Sequence, residues 1–341
     1  MRQEDDPVVY ARFMPVLVTG ASGFIGAHVV CELLARGYSV RAMLRDTKLA
    51  SIFPNSDKLE IVKADLFDVG SLKNAVEGCE DVIHCAAALY VGAKDVKRDV
   101  VDPSVIGVKN LCSVMDDVKR IIHTSSVAAI RSSRFKNGQI FTNKDWCEHA
   151  SAKSNAYGYA KAGAEKLARE WVAEKGDSKP RYVSINPSIV FGPVMAKRHL
   201  KGSMTVIDHL LKRRPPVLLK MHVNIDDVRD VAKAHVKALS EGEDGGRYIV
   251  FNDSLWMKDL ARILRAGIPD RKWPRILLPK SATYVFSLFH PLISPKWVKV
   301  NIGTTCSYDV TPAVNELGMS WTPVEDTVID GAKSAIEVGW R

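Results

Sequence analysis

Short apolar runs alternate with longer amphipathic stretches along the first half of the chain. Residues 24–36 have helical spacing, because Ile25, Val29 and Leu33 recur every four positions, and Gly37 follows as a residue suited to a left-handed helix cap. Two more helices are predicted at residues 105–115 and 155–174. Buried strands are predicted at residues 15–19, 38–44, 61–64, 81–85, 120–124 and 181–185. Strands separated by helices of this length favour an α/β fold with a doubly wound parallel sheet.

The alternation ends at residues 191–193, and prolines punctuate the shorter elements that follow. We therefore predict a large α/β domain over residues 15–190, preceded by an N-terminal arm over residues 1–14. Residues 191–341 are expected to form mostly a smaller, substrate-binding C-terminal domain. Residues 245–265 contain the apolar run G-R-Y-I-V-F and are expected to return to the main sheet.

A glycine-rich turn, T-G-A-S-G-F-I-G at residues 19–26, joins the first predicted strand to the first helix. Gly20 would allow a tight turn, Gly23 a close approach of the backbone to a pyrophosphate, and Gly26 close packing of the helix on the sheet. Free N–H groups at the start of the helix favour a bound phosphate. The motif predicts a Rossmann-type dinucleotide-binding domain whose phosphate site is formed by Gly20, Ser22, Gly23, Phe24, Ile25 and Gly26.

The end of the second predicted strand indicates which dinucleotide is bound. NAD-binding sites commonly have an acidic residue there, which accepts a hydrogen bond from the ribose 2′-hydroxyl. This chain has Arg45, followed by Asp46 and then by Lys48. A guanidinium can instead pair with a 2′-phosphate, so Arg45, with help from Lys48, predicts NADP(H) rather than NAD.

The chemistry is indicated by a set of three residues in the next part of the chain. Ser126 follows the fifth predicted strand, and Tyr157 and Lys161 lie four positions apart, on one face of a predicted helix. The tyrosine would give a proton to an alkoxide, the nearby ammonium would lower the pKa of the tyrosine, and the serine would hold the carbonyl oxygen. Tyr159 is not equivalent, because Gly163 lies four positions after it. The pattern predicts hydride transfer between a nicotinamide and a carbonyl group.

The order of glycine turn, serine-containing strand end and Y-x-x-x-K resembles the extended short-chain dehydrogenases/reductases. The branch is that of the dihydroflavonol reductases, cinnamoyl-CoA reductases, and aldehyde and ketone reductases. Blocks such as K-A-D-L at residues 63–66 and D-V-I-H-C-A-A at residues 81–87 extend the resemblance over nearly the whole chain. It implies that Tyr157 and Lys161 also contact the cofactor, Lys161 through the nicotinamide ribose. It implies contacts to adenine from Asp65 and Leu66, to the ribose and phosphates from Ala86 and Ala87, and to the nicotinamide from Pro187 and Ser188.

The resemblance leaves the substrate open. Dihydroflavonol reductases usually have asparagine five residues after the catalytic serine, where this chain has Arg131. Cinnamoyl-CoA reductases read N-W-Y-C-Y-G-K around the tyrosine, whereas residues 155–161 here read N-A-Y-G-Y-A-K. We expect an apolar pocket between the domains for a small carbonyl compound, and it would include Tyr90, Arg131 and Gly158.

Two other classes of protein share this scaffold. Sugar-nucleotide epimerases and dehydratases retain tightly held NAD, and Arg45 argues against that cofactor. Non-enzymatic NADP-binding sensors usually lose the tyrosine, which this chain keeps as Tyr157. The preferred prediction is therefore NADPH-dependent reduction of an aldehyde or ketone to an alcohol.

The chain has 48 Lys and Arg against 39 Asp and Glu, a net charge of +9. No basic run is interleaved with aromatic residues, so no nucleic-acid partner is expected. Much of the excess lies between Lys197 and Lys220, where it would either steer an anionic substrate or form a solvated face. The apolar segment from Tyr284 to Ile293 is expected to be core or pocket wall, with a dimer surface or a membrane contact as alternatives.

Six cysteines are spaced irregularly, without a C-x-x-C pair or a zinc-binding cluster, so we expect reduced thiols in the cytoplasm and no metal site. No apolar stretch approaches the roughly 18 to 20 residues that span a membrane, and residues 1–15 do not resemble a secretory signal. Helix-mediated dimers are common in the family that the chain resembles, so a homodimer is a further expectation.

Overall fold

The computed structural model describes residues 14–86, 97–213, 216–288 and 295–339. The strands are β1 (Val16–Thr19), β2 (Val40–Leu44), β3 (Leu59–Lys63), β4 (Asp81–His84), β5 (Arg120–Thr124), β6 (Gln139–Phe141), β7 (Arg181–Pro187), β8 (Ile189–Phe191), β9 (Val217–Leu219), β10 (His222–Asp227), β11 (Arg247–Val250), β12 (Asp253–Trp256), β13 (Ile276–Leu278) and β14 (Cys306–Tyr308). The helices are α1 (Phe24–Ala35), α2 (Val69–Val76), α3 (Asp102–Cys112), α4 (Ala156–Glu174), α5 (Thr205–Lys212), α6 (Val228–Lys237), α7 (Met257–Gly267), α8 (Lys280–Ser287), α9 (Pro295–Asn301), α10 (Thr311–Glu316) and α11 (Val324–Glu337).

Seven of these strands form one parallel sheet in the order β11-β7-β5-β4-β1-β2-β3. The predicted α/β class with a doubly wound parallel sheet is confirmed. From β1 the chain adds β2 and β3 on one side, and then β4, β5 and β7 on the other side. This reversal between β1 and β4 opens a crevice at the carboxyl ends of the two strands, which is where such sheets bind ligands.

Helices cover both faces of the main sheet, so its strands are apolar on both sides. In β1, Val16 and Val18 belong to one core cluster, which includes side chains of α1 and α6. Leu17 points the opposite way, into a second cluster that includes side chains of α3 and α4. Because both faces of the sheet are buried, a ligand site can form only at the ends of the strands, among the loops at their carboxyl ends.

A second unit contains the three-stranded sheet β12-β10-β8. Together with α5, α7 and α11 it encloses a third core cluster, in which Phe191, Leu260 and Val328 are fully buried. Strand β11 lies beside β7 in the main sheet, but β12 and α7 belong to the second unit. The prediction for residues 245–265 was therefore too wide. The reason is that the Asn252 N–H donates to the Ile225 carbonyl of β10, at 3.0 Å, and leads the chain out of the main sheet.

Helix α8 presents apolar side chains to solvent, and these are Val285, Phe286 and Leu288. Thr283 and Ser287 are buried instead, and their hydroxyls donate to main-chain carbonyls within the helix. These three apolar side chains therefore do not belong to a core, and a pocket wall, a dimer surface or a membrane contact stays a prediction for them. The remainder of that segment, from Phe289 to Ile293, lies outside the described residues. Across the described ranges, no helix is long and apolar enough to cross a membrane.

Candidate active site

The glycine turn lies at the carboxyl end of β1, against the end of β4. Gly20 has a φ of +65°, in the left-handed region that favours glycine. A Cβ on Gly20 would lie 2.6 Å from the Cα of Ala86, so the two loop backbones touch. A Cβ on Gly26 would lie 2.3 Å from the carbonyl oxygen of Gly20. Gly26 therefore allows α1 to begin against the turn itself, whereas the sequence predicted contact with the sheet.

The N-terminus of α1 has the properties of an anion site. Gly23 caps the helix without a side-chain hydrogen bond, and the first turn contains no acidic residue. The helix dipole and the first N–H groups of the helix therefore favour a negative group at this point. His199 closes the turn from the other unit, because its Nε2–H donates to the Ser22 carbonyl at 3.2 Å. The backbone around Gly20, Gly23 and Gly26 thus fits a pyrophosphate.

The residues predicted to bind the adenosine half of the cofactor follow strands β2 and β3. Arg45 is exposed, and no carboxylate of the described residues pairs with it. Asp46 is occupied elsewhere, since its side chain accepts from the Lys48 N–H at 3.0 Å and caps a short 3₁₀ turn. Arg45 is therefore available to an anionic partner. Asp65 accepts from the Phe67 N–H at 3.0 Å, and it follows β3 at the same end of the sheet.

Ser126, Tyr157 and Lys161 come together at the carboxyl end of β5. Asn155 caps α4 by accepting from the Gly158 N–H at 3.2 Å, which begins the helix one residue before Tyr157. The tyrosine hydroxyl is hydrogen-bonded to the Ser126 side chain. Lys161, one turn further along the helix, donates from Nζ to the Thr124 carbonyl at 3.0 Å. The predicted constellation is thus assembled from one strand end and one helix face.

Ser126 is held from both sides. The Ala128 N–H donates to its Oγ at 3.1 Å, and Asn186 Nδ2 donates to its carbonyl at 3.3 Å. Its hydroxyl also lies 3.4 Å from the Pro187 carbonyl. Pro187 and Ser188, which the family resemblance placed near a nicotinamide, therefore adjoin the predicted catalytic serine. Ser188 is itself fixed by Asp226 of β10, which accepts from its N–H at 2.5 Å.

Burial is the largest influence on both titratable groups of the site. Burial raises the pKa of Tyr157, and the hydrogen bond to Ser126 only partly opposes that rise. Burial also lowers the pKa of Lys161 to about 8, against the opposing influence of Cys85 and Glu165. Desolvation of the phenol therefore determines the direction of the shift in this structure. That the Lys161 ammonium favours the phenolate of Tyr157 stays a prediction.

A buried carboxylate beneath this constellation was missed by the sequence analysis. Glu165 follows Tyr157 and Lys161 at the same four-residue spacing on α4 and is completely buried. It accepts from Arg247 Nε at 2.7 Å, from Arg169 Nε at 3.2 Å, and from the hydroxyl groups of Ser125 and Ser184. Its position on the inner face of an amphipathic helix was the available signal, because a charge there requires a partner.

Loss of the Glu165 charge is expected to destabilise the fold. Burial alone would raise the pKa of Glu165, but Arg247 and Arg169 outweigh it and hold that pKa below its ordinary value. The carboxylate therefore contributes stability above its unfolded pKa and loses it as the pH falls. We expect Glu165→Gln to lower the free energy of unfolding by about 3 kcal/mol at pH 7, because two arginines lose their counterion.

Urea denaturation of Glu165→Gln measures this effect, with Glu174→Gln as the control. Glu174 is exposed at the end of the same helix, so its neutralisation should leave the midpoint unchanged. Equal midpoints for Glu165→Gln and the wild type would contradict a stabilising role for the carboxylate.

A buried histidine supports the strand end to which Lys161 is hydrogen-bonded. His235 is fully buried on α6, and its Nε2 lies 2.7 Å from the Thr124 hydroxyl while its Nδ1 bonds to the Val231 carbonyl. This is the packed, hydrogen-bonded state that its apolar surroundings predict. Burial lowers the pKa of His235 to about 4, so the ring is neutral at pH 7. His235 therefore orients the strand end that carries Thr124 without adding charge.

The three residues predicted for the substrate pocket have different positions. Gly158 is buried, and a Cβ there would lie 2.9 Å from both the Ala128 carbonyl and the Cys147 sulfur. It permits close approach of α4 to the loop after Ser126, which is a packing role rather than a pocket surface. Arg131 is partly exposed on that same loop, with its guanidinium 5.3 Å from the centre of the Phe135 ring. Tyr90, like the predicted cofactor contact Ala87, lies outside the described residues.

Comparison with known proteins agrees with this geometry. Residues 16–252 match the model of the NAD dependent epimerase/dehydratase family. Dihydroflavonol 4-reductase of Hordeum vulgare is 30% identical over 275 residues, which cover 76% of this chain and 77% of that protein. The NADPH-dependent methylglyoxal reductase GRE2 of Saccharomyces cerevisiae is 33% identical over 291 residues, which cover 76% of this chain and 84% of that protein. The crystal structure of yeast methylglyoxal/isovaleraldehyde reductase Gre2 with NADPH superimposes with a TM-score of 0.78 at 28% identity, over 95% of this chain and 98% of that one.

The family match extends across the main sheet, from β1 to β11. It includes the glycine turn, the serine after β5 and the tyrosine and lysine of α4, which the structure brings together. The chain belongs to the NAD dependent epimerase/dehydratase family, in the branch of extended short-chain dehydrogenases/reductases that contains the dihydroflavonol reductases.

Proposed function

We propose that this protein reduces an aldehyde or a ketone to an alcohol, with NADPH as the hydride donor. The observation that carries the proposal is the convergence of Ser126, Tyr157 and Lys161 at the same end of the sheet as the glycine turn, next to the switch point. Relatives with similarity over most of the chain are named as reductases, and one is named as NADPH-dependent. These names support carbonyl reduction over the other chemistries of the family.

We propose that the predicted cofactor residues bind NADPH along its whole length. When bound, this cofactor supplies the hydride. We propose that the turn from Gly20 to Gly26 holds the pyrophosphate and that Arg45, with Lys48, holds the 2′-phosphate. The remaining contacts that we propose are to adenine from Asp65 and Leu66, to the ribose and phosphates from Ala86 and Ala87, and to the nicotinamide from Pro187 and Ser188.

Proton transfer is the task of the chain itself. The raised pKa of Tyr157 keeps its hydroxyl protonated at neutral pH, so it can donate to the oxygen of a carbonyl that accepts hydride. The Ser126 hydroxyl, which bonds to Tyr157, positions that oxygen. Lys161 is charged below a pH of about 8 and favours the phenolate that remains after the proton has left. We also propose that Lys161 binds the nicotinamide ribose.

A sugar-nucleotide epimerase or dehydratase is the alternative, because the family description includes both. Such enzymes recycle a retained NAD, whereas Arg45 favours a phosphorylated ribose and exchange with free NADPH. The ultraviolet spectrum of the purified protein distinguishes the two, since a retained dinucleotide survives gel filtration and adds absorbance near 260 nm, roughly where adenine absorbs.

The experiment that tests the proposal is a panel assay of NADPH oxidation. The panel contains aliphatic and aromatic aldehydes, diketones, dihydroflavonols and acyl-CoA thioesters, each with NADPH and with NADH. Turnover of an aldehyde or ketone with preference for NADPH is the expected result. NADPH binding without turnover of any carbonyl compound would overturn the reductase and favour an epimerase, a dehydratase or an NADP-binding sensor.

We further propose that exposed basic residues attract anionic substrates. Lys197, Arg198 and Lys201 are exposed on and beside the 3₁₀ turn that His199 anchors to the glycine turn. Neutralising all three with glutamine is expected to lower kcat/KM for an anionic carbonyl compound by up to about tenfold at low salt. Steady-state rates at two ionic strengths and saturating NADPH measure this. An equal loss for a neutral aldehyde would contradict steering of the substrate.

Location and assembly are separate proposals. Six free cysteines support a reducing compartment, and we propose the cytoplasm. We propose that residues 15–190 together with β11 bind the dinucleotide and that the second unit covers the substrate. A homodimer is a prediction that sedimentation equilibrium would test.

A further inference from the structure

A buried asparagine links the Glu165 carboxylate to the backbone of the predicted catalytic serine. Asn186 lies near the carboxyl end of β7, which pairs with β5, and it is completely buried. Its side-chain nitrogen Nδ2 donates to Glu165 Oε2 at 3.2 Å and to the Ser126 carbonyl at 3.3 Å. One planar amide group therefore joins the buried charge to the serine.

The Asn186 amide has only one orientation that fits these neighbours. Glu165 and the Ser126 carbonyl are both acceptors, so an amide oxygen in place of Nδ2 would face two other oxygens. Arg247 and Arg169 hold the pKa of Glu165 below its ordinary value, so this acceptor remains charged at neutral pH. The amide oxygen has no hydrogen-bond partner among the described residues. The two N–H groups are therefore the part of the side chain that this position uses.

The carbonyl that Asn186 contacts belongs to the residue whose hydroxyl must be aimed. Ser126 precedes the 3₁₀ turn Val127–Ala129 in an extended conformation, and its Oγ accepts from the Ala128 N–H at 3.1 Å. Its carbonyl also accepts from the Ala129 N–H at 2.9 Å. These two bonds lie within the turn and move with it, whereas the bond from Asn186 attaches the turn to β7 of the main sheet.

The preceding residue has the same attachment. The Ser125 hydroxyl donates to Glu165 Oε2 at 2.5 Å, the oxygen that also accepts from Asn186. The strand end with the predicted catalytic serine is therefore bound to one buried carboxylate at two successive residues. Such attachment matters for catalysis, because proton transfer requires the reacting groups to stay within hydrogen-bond reach.

We propose that Asn186 is a positioning residue for carbonyl reduction. It fixes the Ser126 turn to the Glu165 carboxylate and so determines where the serine hydroxyl holds the substrate oxygen. This inference rests on the proposed reductase function and adds to it a residue that acts through Ser126.

The test is a double-mutant cycle between Asn186 and Ser126, with the best aldehyde or ketone of the panel at saturating NADPH. Asn186→Leu keeps a branched side chain of similar shape and removes both N–H groups. It is expected to lower kcat about tenfold, and Ser126→Ala about 100-fold. The double variant should be no slower than Ser126→Ala, because Asn186 acts through the hydroxyl that is already absent. Fluorescence titration should give an unchanged dissociation constant for NADPH in all three variants.

The matched control is Ser184→Ala. Ser184 is fully buried on the same strand, and its hydroxyl donates to Glu165 Oε1 at 3.0 Å and accepts from Arg169 Nη2 at 2.9 Å. Its substitution therefore removes a bond to the same carboxylate and leaves the two bonds of Asn186 in place. Ser184→Ala should keep the wild-type kcat.

A structural role alone would give additive losses in the cycle. A double variant about tenfold slower than Ser126→Ala would thus overturn the inference, and so would a wild-type kcat in Asn186→Leu. Asn186→Ala removes the same N–H groups and repeats the cycle if the leucine variant does not fold. Either negative result leaves the reductase function intact, since the wild type still turns over. A wild type that reduces no carbonyl compound would overturn the proposed function and this inference together.

Discussion

The Tyr157→Phe protein is expected to bind NADPH as tightly as the wild type and to reduce carbonyl compounds about 10³-fold more slowly. The substitution removes one hydroxyl and keeps the ring, so the packing of α4 is preserved. The hydroxyl matters because its raised pKa keeps it protonated and because it bonds to Ser126, where the carbonyl oxygen would lie. Steady-state kcat, together with fluorescence titration of NADPH, separates the two expectations.

The control for this prediction is Tyr159→Phe. Tyr159 lies two residues further along the same helix, is 48% exposed and has no lysine one turn later. Its substitution should leave kcat and NADPH binding unchanged. A Tyr157→Phe protein that keeps the wild-type kcat would show that another group donates the proton, and the proposed mechanism would fail.

The Lys161→Met protein is expected to lose about 10²- to 10³-fold in kcat/KM and yet to be more stable than the wild type at pH 7. The loss of activity follows from the removal of the charge that favours the phenolate of Tyr157. In the wild type the same charge should vanish as the pH rises through about 8, the pKa that burial gives to Lys161. We therefore expect kcat/KM of the wild type to fall above that pH, as measured by a pH–rate profile.

The stability effect has the opposite sign because Lys161 is buried as a charged group. Its folded pKa of about 8 lies below the ordinary value of 10.5, so between these values the unfolded chain binds more protons. The lysine thus destabilises the folded protein by about 3 kcal/mol below pH 8, and this cost disappears as the pH approaches 10.5. Methionine removes the charge but also the hydrogen bond to Thr124, worth about 1 kcal/mol, so a net gain of about 2 kcal/mol is expected.

Urea denaturation of Lys161→Met at pH 7 and at pH 10 measures both parts of this prediction. The difference from the wild type should be large at pH 7 and small at pH 10. A variant that is less stable than the wild type at pH 7 would contradict a buried charge, and would indicate that the bond to Thr124 dominates.

The two variants also separate structure from chemistry. Tyr157→Phe changes the proton donor with little effect on stability, whereas Lys161→Met changes activity and stability in opposite directions. A catalytic group whose removal stabilises the protein is held in an unfavourable state by the rest of the fold. For Lys161 the surrounding structure is β5, whose Thr124 accepts its hydrogen bond, and the buried ion pair of Glu165 with Arg247.

Local patterns along the chain determined the main elements of the larger unit. Residues 120–124 form a strand with the predicted bounds, and α4 begins one residue after its predicted start because Asn155 caps it. Such elements are identifiable because a strand buried on both faces is continuously apolar, and a helix on its surface repeats every three to four positions. Helix α2 was missed, since its eight residues are too few to display that period. The glycine turn, Arg45 and Y-x-x-x-K were also evident, because their chemistry depends on residues close together in sequence.

Only the tertiary structure decided which distant groups share an environment. A buried ion pair joins Glu165 of α4 to Arg247 of β11, which are 82 positions apart in the sequence. The direction of the pKa shift of Tyr157 depends on how deeply the phenol is buried, which no local pattern expresses. Desolvation and charge pairing act through space, so the sequence determined the elements and their chemistry, and packing determined the electrostatics of the site.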